Sequence, residues 1–116
     1  MSKYDNMKCE ACRGDVDPFG EEKIAEIKEE LPAWQVVSVN GEDRLRRELE
    51  FDDFAGALEF TRRVGEEAER NEHHPRLVTE WGKVTVDWWT HKIGGLHMND
   101  VIMASNTNRL YEGNGS

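Results

Sequence analysis

The 116-residue sequence has little of what would place it in several special classes of protein. No apolar run approaches the roughly 20 residues that a membrane-spanning helix needs. The 15 basic residues are outnumbered by 24 acidic ones. The resulting net charge of −9 argues against sequence-independent binding of nucleic acid and against binding to an anionic membrane. The chain begins with polar residues and shows no signal-peptide pattern, so we expect a cytoplasmic protein.

Cysteine is scarce, and both copies lie in one CxxC motif, Cys9 and Cys12. A structural zinc site needs four ligands, and no second CxxC is present. A redox motif usually lies between a strand and a helix, whereas polar residues flank this one. We therefore predict reduced thiols in a flexible arm, residues 1–20, without a metal or redox role. A zinc protein that uses the pair is the weaker alternative.

Hydrophobic periodicity divides residues 21–112 into seven elements of one domain. The pattern predicts helices over 21–31, from a cap at Asp52 or Asp53 to about 71, and from a cap at Asn99 or Asp100 to about 112, followed by a loose tail, 113–116. It predicts strands over 34–39, 42–51, 76–81 and 83–89, with Asn40-Gly41 and Gly82 in the hairpin turns. Hairpin-joined strands form an antiparallel sheet whose apolar face the helices must cover.

The predicted fold is thus an α+β two-layer sandwich: a four-stranded antiparallel sheet in the order helix-β-β-helix-β-β-helix, with its second face in water. Edge strands leave backbone groups unpaired, which favours edge-to-edge pairing of two copies.

Three of the four histidines fall close to the end of the long helix or of the last strand. Pro75 cannot continue a helix and disfavours helical geometry at the residue before it, so the long helix ends on His73 and His74. Glu69 and His73 are spaced i,i+4 and share one face of the last helical turn.

The second hairpin brings the third histidine to the same place. If Gly82-Lys83 forms a two-residue loop, Trp81 lies opposite Val84, and the same register puts His91 opposite His74. Opposed side chains on paired strands lie roughly 5 Å apart at Cβ. The sequence therefore predicts one site that contains three imidazoles.

Imidazole both gives and takes protons near neutral pH, so this cluster suits general acid–base catalysis. Zinc bound by three histidines is the competing interpretation. Against it, the adjacent His73 and His74 diverge, and the sequence has no HxH or HxxxH pair. Trp81 and Trp89 suit a planar ligand, although an aromatic residue on a strand is more often part of the core.

A long spaced pattern in this region resembles the signature of the pterin-4a-carbinolamine dehydratases. The pattern is Glu69-x3-His73-His74-Pro75-x5-Trp81-x9-His91-x8-Asp100. The segments Leu31-Pro32-x-Trp34 and Phe54–Val64 also resemble that family, and the likeness extends from about residue 21 to 111.

The resemblance implies an α+β homodimer or homotetramer that dehydrates a 4a-hydroxytetrahydropterin without metal or organic cofactor. It implies catalytic roles for His73, His74 and His91, supporting roles for Glu69 and Asp100, and substrate contacts from Glu72, Pro75, Trp81, Trp89, Thr90 and Lys92. The alternative is a non-catalytic binding, assembly or transcription-coactivator protein on the same scaffold. Chaperone-like relatives tend to lose parts of the His-His-Pro signature, which is complete here, and this favours the enzyme.

Overall fold

The computed structural model describes residues 18–114, so Cys9, Cys12 and most of the predicted arm lie outside the described residues. The chain forms helices and strands in the predicted order: α1 (Glu21–Glu30), β1 (Gln35–Val39), β2 (Glu42–Glu50), α2 (Phe54–Asn71), β3 (Arg76–Glu80), β4 (Lys83–Trp88) and α3 (Met98–Asn114), with a 3₁₀ turn (His91–Ile93) before α3. Within this range no helix is long and apolar enough to cross a membrane.

The four strands form one antiparallel sheet in the order β1-β2-β4-β3. Val84, Val86 and Trp88 alternate along β4 and are fully buried, because they face the helices. The long helix α2 contributes Phe60 and Val64 to the same core. The predicted α+β fold is confirmed, and the helices cover one face of the sheet.

The cap of α2 is Asp53 rather than Asp52. Its carboxylate accepts a hydrogen bond of 2.8 Å from the backbone N–H of Gly56, which satisfies one of the free donors of the first turn. The helix then runs for 18 residues and ends next to the histidines.

The register predicted for the second hairpin is wrong by two residues. Glu80 pairs with Lys83, so Trp81 and Gly82 form the loop instead of Gly82 and Lys83. Gly82 takes the second loop position with a φ of 79°, as Gly41 does in the first hairpin with a φ of 81°. The second loop position requires a left-handed backbone conformation, which glycine adopts readily. Gly82 therefore takes that position, and Trp81 takes the first.

The second face of the sheet is more structured than a plain solvated surface. Asp87 projects from the central strand β4 onto this face, yet its side chain is 0% exposed. Arg46 binds it with two hydrogen bonds of 2.7 and 2.8 Å, and Arg44 and Arg76 approach the second carboxylate oxygen at 3.2 and 3.4 Å. Register places these residues side by side, because β2 pairs Arg46 with Asp87 and β3 pairs Arg76 with Asp87.

The arginines keep Asp87 ionised. Burial alone would raise the pKa of its carboxyl group, but hydrogen bonds from Arg46 and Arg44, with the charges of Arg46 and Arg76, bring that pKa below its usual value. The hydrogen bond from Asp87 likewise raises the pKa of Arg46. A depressed carboxyl pKa stabilises the native state above the unfolded-state pKa, and this contribution is lost as the pH falls through the folded-state pKa.

We expect Asp87→Asn to lower the free energy of unfolding by about 3 kcal/mol at pH 7, since it leaves three guanidinium groups without their shared counter-ion. Urea unfolding measures this. The difference from wild type should shrink as the pH falls from about 4, the usual pKa of an Asp in the unfolded chain, through the lower pKa of the folded-state carboxyl group, where the wild-type side chain also becomes neutral. Glu59→Gln, which removes a carboxylate paired with Arg62 on the exposed face of α2, is the matched control and should have a smaller effect. Equal losses in the two variants would contradict a special role for Asp87.

Candidate active site

The end of α2 separates the two adjacent histidines. Glu72 adopts a left-handed conformation (φ 51°, ψ 37°), and the backbone N–H of His73 returns to the carbonyl of Ala68 at 3.2 Å. This turn directs His73 into the protein, where it is 9% exposed, and leaves the side chain of His74 61% exposed. Pro75 then leads into β3.

His73 is held on two sides. Its Nε2 lies 2.5 Å from Oδ1 of Asp100, and its ring stacks on Trp88 with centroids 5.7 Å apart and planes 10° from parallel. Asp100 is fully buried, so a carboxylate there requires several donors. The imidazole therefore has a fixed position and orientation.

The same carboxylate shapes the start of α3. Its second oxygen accepts hydrogen bonds from the Thr90 hydroxyl at 2.7 Å and from the backbone N–H of His97 at 2.9 Å. Nδ1 of His97 in turn accepts from the backbone N–H of Asn99 at 3.1 Å, a reciprocal arrangement like a capping box. The predicted caps Asn99 and Asp100 are therefore wrong: α3 begins at Met98, and Asp100 lies inside its first turn.

These contacts favour one tautomer of His73. Oδ2 of Asp100 accepts from a hydroxyl and a backbone N–H, and we assign Oδ1 as the acceptor of a hydrogen bond from Nε2 of His73. The proton of a neutral His73 therefore lies on Nε2, and Nδ1 is the basic nitrogen. Buried carboxylates orient catalytic imidazoles in this way in other enzymes.

His91 does not lie opposite His74, which corrects the prediction. The strand β4 ends at Trp88, and His91 begins the 3₁₀ turn, with its side chain 86% exposed. Its nearest charged partner is Glu42 at the start of β2, with Nδ1 and Oε2 3.7 Å apart. His91 lies there, and not opposite His74, because the register of the hairpin is shifted by two residues and because a β-bridge between Thr90 and Gly95 closes the turn.

Thr90 and His73 both form hydrogen bonds with Asp100. Thr90, rather than His91, is therefore linked to His73. His91 is the neighbour of Thr90 in the chain, and its own side-chain contact is with Glu42. The structure thus joins His73, Asp100 and Thr90 by direct contacts, and the side chain of His91 is exposed at the surface.

The other predicted site residues are divided between the two ends of β3. Glu69 binds Nε2 of His74 at 2.9 Å, with both side chains exposed. Lys92 is exposed in the 3₁₀ turn, and Glu72 is exposed at the end of α2. Trp81 is 74% exposed in the far hairpin loop, roughly 20 Å along the strand from Pro75, and within one chain it is not brought to the histidines.

Two residues near the site were missed by the sequence reasoning. Glu42 approaches His91, and the Arg44 guanidinium lies 3.7 Å from the centre of the Trp89 ring system. Both come from β2, which pairs with β4 although the two strands are not joined by a hairpin. No local signal in the sequence gives that register.

Within residues 18–114, no group of three or more His, Cys, Asp or Glu side chains is arranged to hold a metal ion. The contacts of His73 and His74 with Asp100 and Glu69 are pairwise instead. Each of these histidines is thus held by a hydrogen bond to one carboxylate.

Comparison with known proteins gives a consistent result. The profile of the family described as "Pterin 4 alpha carbinolamine dehydratase" matches residues 17–110. A protein of Chlorobium limicola described as "Putative pterin-4-alpha-carbinolamine dehydratase" is 53% identical over 113 residues, covering 97% of this chain and 100% of the relative. A Gloeobacter violaceus protein, "Putative pterin-4-alpha-carbinolamine dehydratase 1", is 50% identical over 104 residues, or 90% of each chain.

A solved structure shares the fold. The "transcriptional coactivator/pterin dehydratase" from Brucella melitensis superposes with a TM-score of 0.73 at 28% sequence identity, covering 82% of this chain and 99% of that one. The similarity that the spaced histidine pattern suggested is confirmed at the level of the family.

We expect nitrogen NMR of the imidazoles at about pH 8.5, above the usual histidine pKa of about 6.5, to show the His73 proton on Nε2. In Asp100→Asn the side chain has one acceptor oxygen where three donors converge, so this fixed tautomer should be lost. The exposed His74 is the internal control and should not change. A wild-type His73 that carries its proton on Nδ1 would contradict the assignment.

Proposed function

The chain belongs to the pterin 4 alpha carbinolamine dehydratase family of hydro-lyases, and we propose that it removes water from 4a-hydroxytetrahydropterin to give quinonoid dihydropterin. In this reaction N5 loses a proton, the 4a-hydroxyl group leaves as water after it is protonated, and a C=N bond forms. One proton acceptor and one proton donor are sufficient. The observation that carries the proposal is the buried hydrogen bond between His73 and Asp100, a carboxylate that also binds Thr90, the residue before the exposed His91.

We assign the acceptor role to His73. Its Nε2 proton is held by Asp100, so Nδ1 has the free lone pair, and the buried carboxylate stabilises the imidazolium that forms when this nitrogen takes the N5 proton. His91 then protonates the departing hydroxyl group from the neighbouring turn. Its exposure suits a group that must exchange protons with solvent after each turnover.

The remaining site residues bind and position. His74, held by Glu69, orients the pterin and shares in proton transfer. We assign contacts with the pterin to Glu72, Pro75, Trp89 and Lys92. Thr90 is a positioning residue in this scheme, because its hydroxyl is committed to Asp100.

The proposed reaction needs no metal or organic cofactor, because both proton transfers use side chains. Its cellular role would be to recycle the tetrahydrobiopterin-type cofactor used in aromatic amino acid hydroxylation, in the cytoplasm. The second candidate is a coactivator or assembly role on the same scaffold, which the description of the Brucella protein brings to this chain as an alternative. An intact buried acid–base pair favours catalysis.

We propose a homodimer or homotetramer as the working assembly. The strands β1 and β3 are at the two edges of the sheet and can accept a further strand. Substrate contact by Trp81 would require a second chain, since this residue lies at the opposite end of β3 from His74. Sedimentation equilibrium should therefore give a mass of two or four chains. A monomer that still catalyses dehydration would contradict both the proposed assembly and the proposed substrate contact of Trp81.

The dehydration assay tests the mechanism, with acceleration over the spontaneous reaction as the readout. We expect His73→Ala and His91→Ala each to lower kcat by about 10²–10⁴-fold, the usual contribution of a general acid or base. His91→Ala should leave stability unchanged, since that side chain is largely exposed.

Glu66→Ala, on the exposed face of α2, is the control and should retain wild-type turnover. Unchanged turnover in both histidine variants would overturn the assignment. A well-folded wild-type protein without any acceleration would leave the coactivator or assembly role as the better proposal.

A further inference from the structure

The helix α3 has an outer side that faces away from the sheet. Its inner side is identified by contacts, since Asp100 and Thr107 form hydrogen bonds of 2.7 and 3.0 Å with side chains at or just beyond the end of β4. Each residue advances an α-helix by about 100°, so residues two positions apart point in nearly opposite directions. Ile102 and Ser105, two positions from Asp100 and Thr107 respectively, therefore point outward.

This outer side is nonetheless shielded from solvent over the first two turns. Ile102 is 1% exposed and Ser105 is 0% exposed, whereas Arg109, one turn further on the same side, is exposed. Among the described residues, Ile102 is also the one buried apolar side chain outside the hydrophobic cluster of the core. The outer patch, Ile102 and Ser105, therefore needs a cover other than the core.

The segment 1–17 joins the described residues beside this patch. The backbone N–H of Phe19 donates to the carbonyl of Leu96 at 3.0 Å, two residues before α3 begins. Pro18 lies against Gly95, and a Cβ atom added at Gly95 would come within 2.8 Å of the Cβ of Pro18. The chain that precedes Pro18 therefore starts next to the first turn of α3.

The segment has the length and the side chains that such a cover needs. Fully extended, 17 residues span about 55 Å, whereas the two helical turns that end at Ser105 rise only about 12 Å. Its apolar side chains include those of Met7, Ala11, Cys12 and Val16. It can therefore reach the whole patch and bury apolar surface against Ile102.

We propose that residues 1–17 pack on the outer patch and shield Ile102 and Ser105 within the same chain. A second copy of the chain is the competing occupant, and its contact would depend on protein concentration. The segment is attached at the edge of the patch, so its effective concentration there is high in a single chain. This attachment favours the chain's own segment over a second copy.

The proposed cover is connected to the site through the backbone. Phe19 binds Leu96, and the next residue, His97, donates its backbone N–H to Asp100 at 2.9 Å. Asp100 in turn binds the imidazole of His73. We therefore expect the packed segment to hold the first turn of α3 in place. Its effect on catalysis rests on the proposed function, whereas the packing does not.

Hydrogen–deuterium exchange of the full chain, measured by mass spectrometry, tests the packing. Burial of an isoleucine side chain predicts amide exchange in residues 1–17 roughly tenfold or more slower than in a free peptide of the same sequence. Ile102→Asp places a charge on the patch and should remove most of this protection. Gly95→Ala, whose new Cβ meets Pro18, should reduce it from the other side of the contact.

Matched variants separate the patch from a general loss of structure. Leu58→Asp makes a similar change at an exposed site on α2 and should keep the full protection. Ile102→Ala serves if Ile102→Asp does not fold, and should lose part of the protection. Equal protection in wild type and in all the Ile102 and Gly95 variants would overturn the inference, because the segment would then pack elsewhere.

The wild-type chain distinguishes the two occupants. Protection of residues 1–17 that is unchanged on dilution supports a cover within one chain. Exchange of these residues at the rate of the free peptide overturns the inference. A second copy is then the occupant if Ile102→Asp lowers the mass found by sedimentation equilibrium.

Two further outcomes separate the cover, its link to the site and the proposed reaction. In Ile102→Asp, exchange at residues 96–100 should rise together with that of residues 1–17, and kcat for dehydration should fall. Lost protection of the segment without faster exchange at residues 96–100 overturns the link to Asp100. A wild-type protein with a protected segment and no catalysed dehydration supports the cover and overturns the proposed reaction.

Discussion

The buried carboxylate of Asp100 is the point on which the site depends. It accepts from the His73 ring, the Thr90 hydroxyl and the backbone of His97, and so connects the end of α2, the end of β4 and the start of α3. A buried charge is tolerated only when its lone pairs are satisfied, and here the donors that satisfy it come from three separate elements. The group that orients the imidazole is therefore also the group that fixes where the last helix begins.

Much of the fold could be predicted from local patterns. Apolar periodicity gave the seven elements, and Asn40-Gly41 placed the first turn between Val39 and Glu42 as observed. The second loop was misplaced by one residue, which shifts the strand pairing by two, because the two-residue loop was assumed to begin at Gly82 when Gly82 is its second member. A glycine marks a turn well, but it does not by itself say which loop position it takes.

The site was predictable in composition and only partly in geometry. Pro75 and the helix period correctly placed His73 and His74 at the end of α2. The contacts of His73 with Asp100 and of Arg44 with Trp89 join residues 27 and 45 positions apart, through packing and through pairing of strands that no hairpin connects. Such contacts depend on tertiary packing, which single-sequence periodicity does not encode. The exposed position of His91 follows from the Thr90–Gly95 bridge, a feature of the same kind.

The strand order β1-β2-β4-β3 also has a consequence for how the molecule folds. Each hairpin can close on its own, because its strands are neighbours in sequence, but β4 reaches the centre of the sheet only when the second hairpin docks on β2. That docking event sets Trp89 under Arg44 and brings Thr90 towards Asp100. Loops of long sequence separation close late and slowly. We therefore expect the contacts around Asp100 and Trp89 to form late in a refolding chain, after most of its helix and hairpin structure.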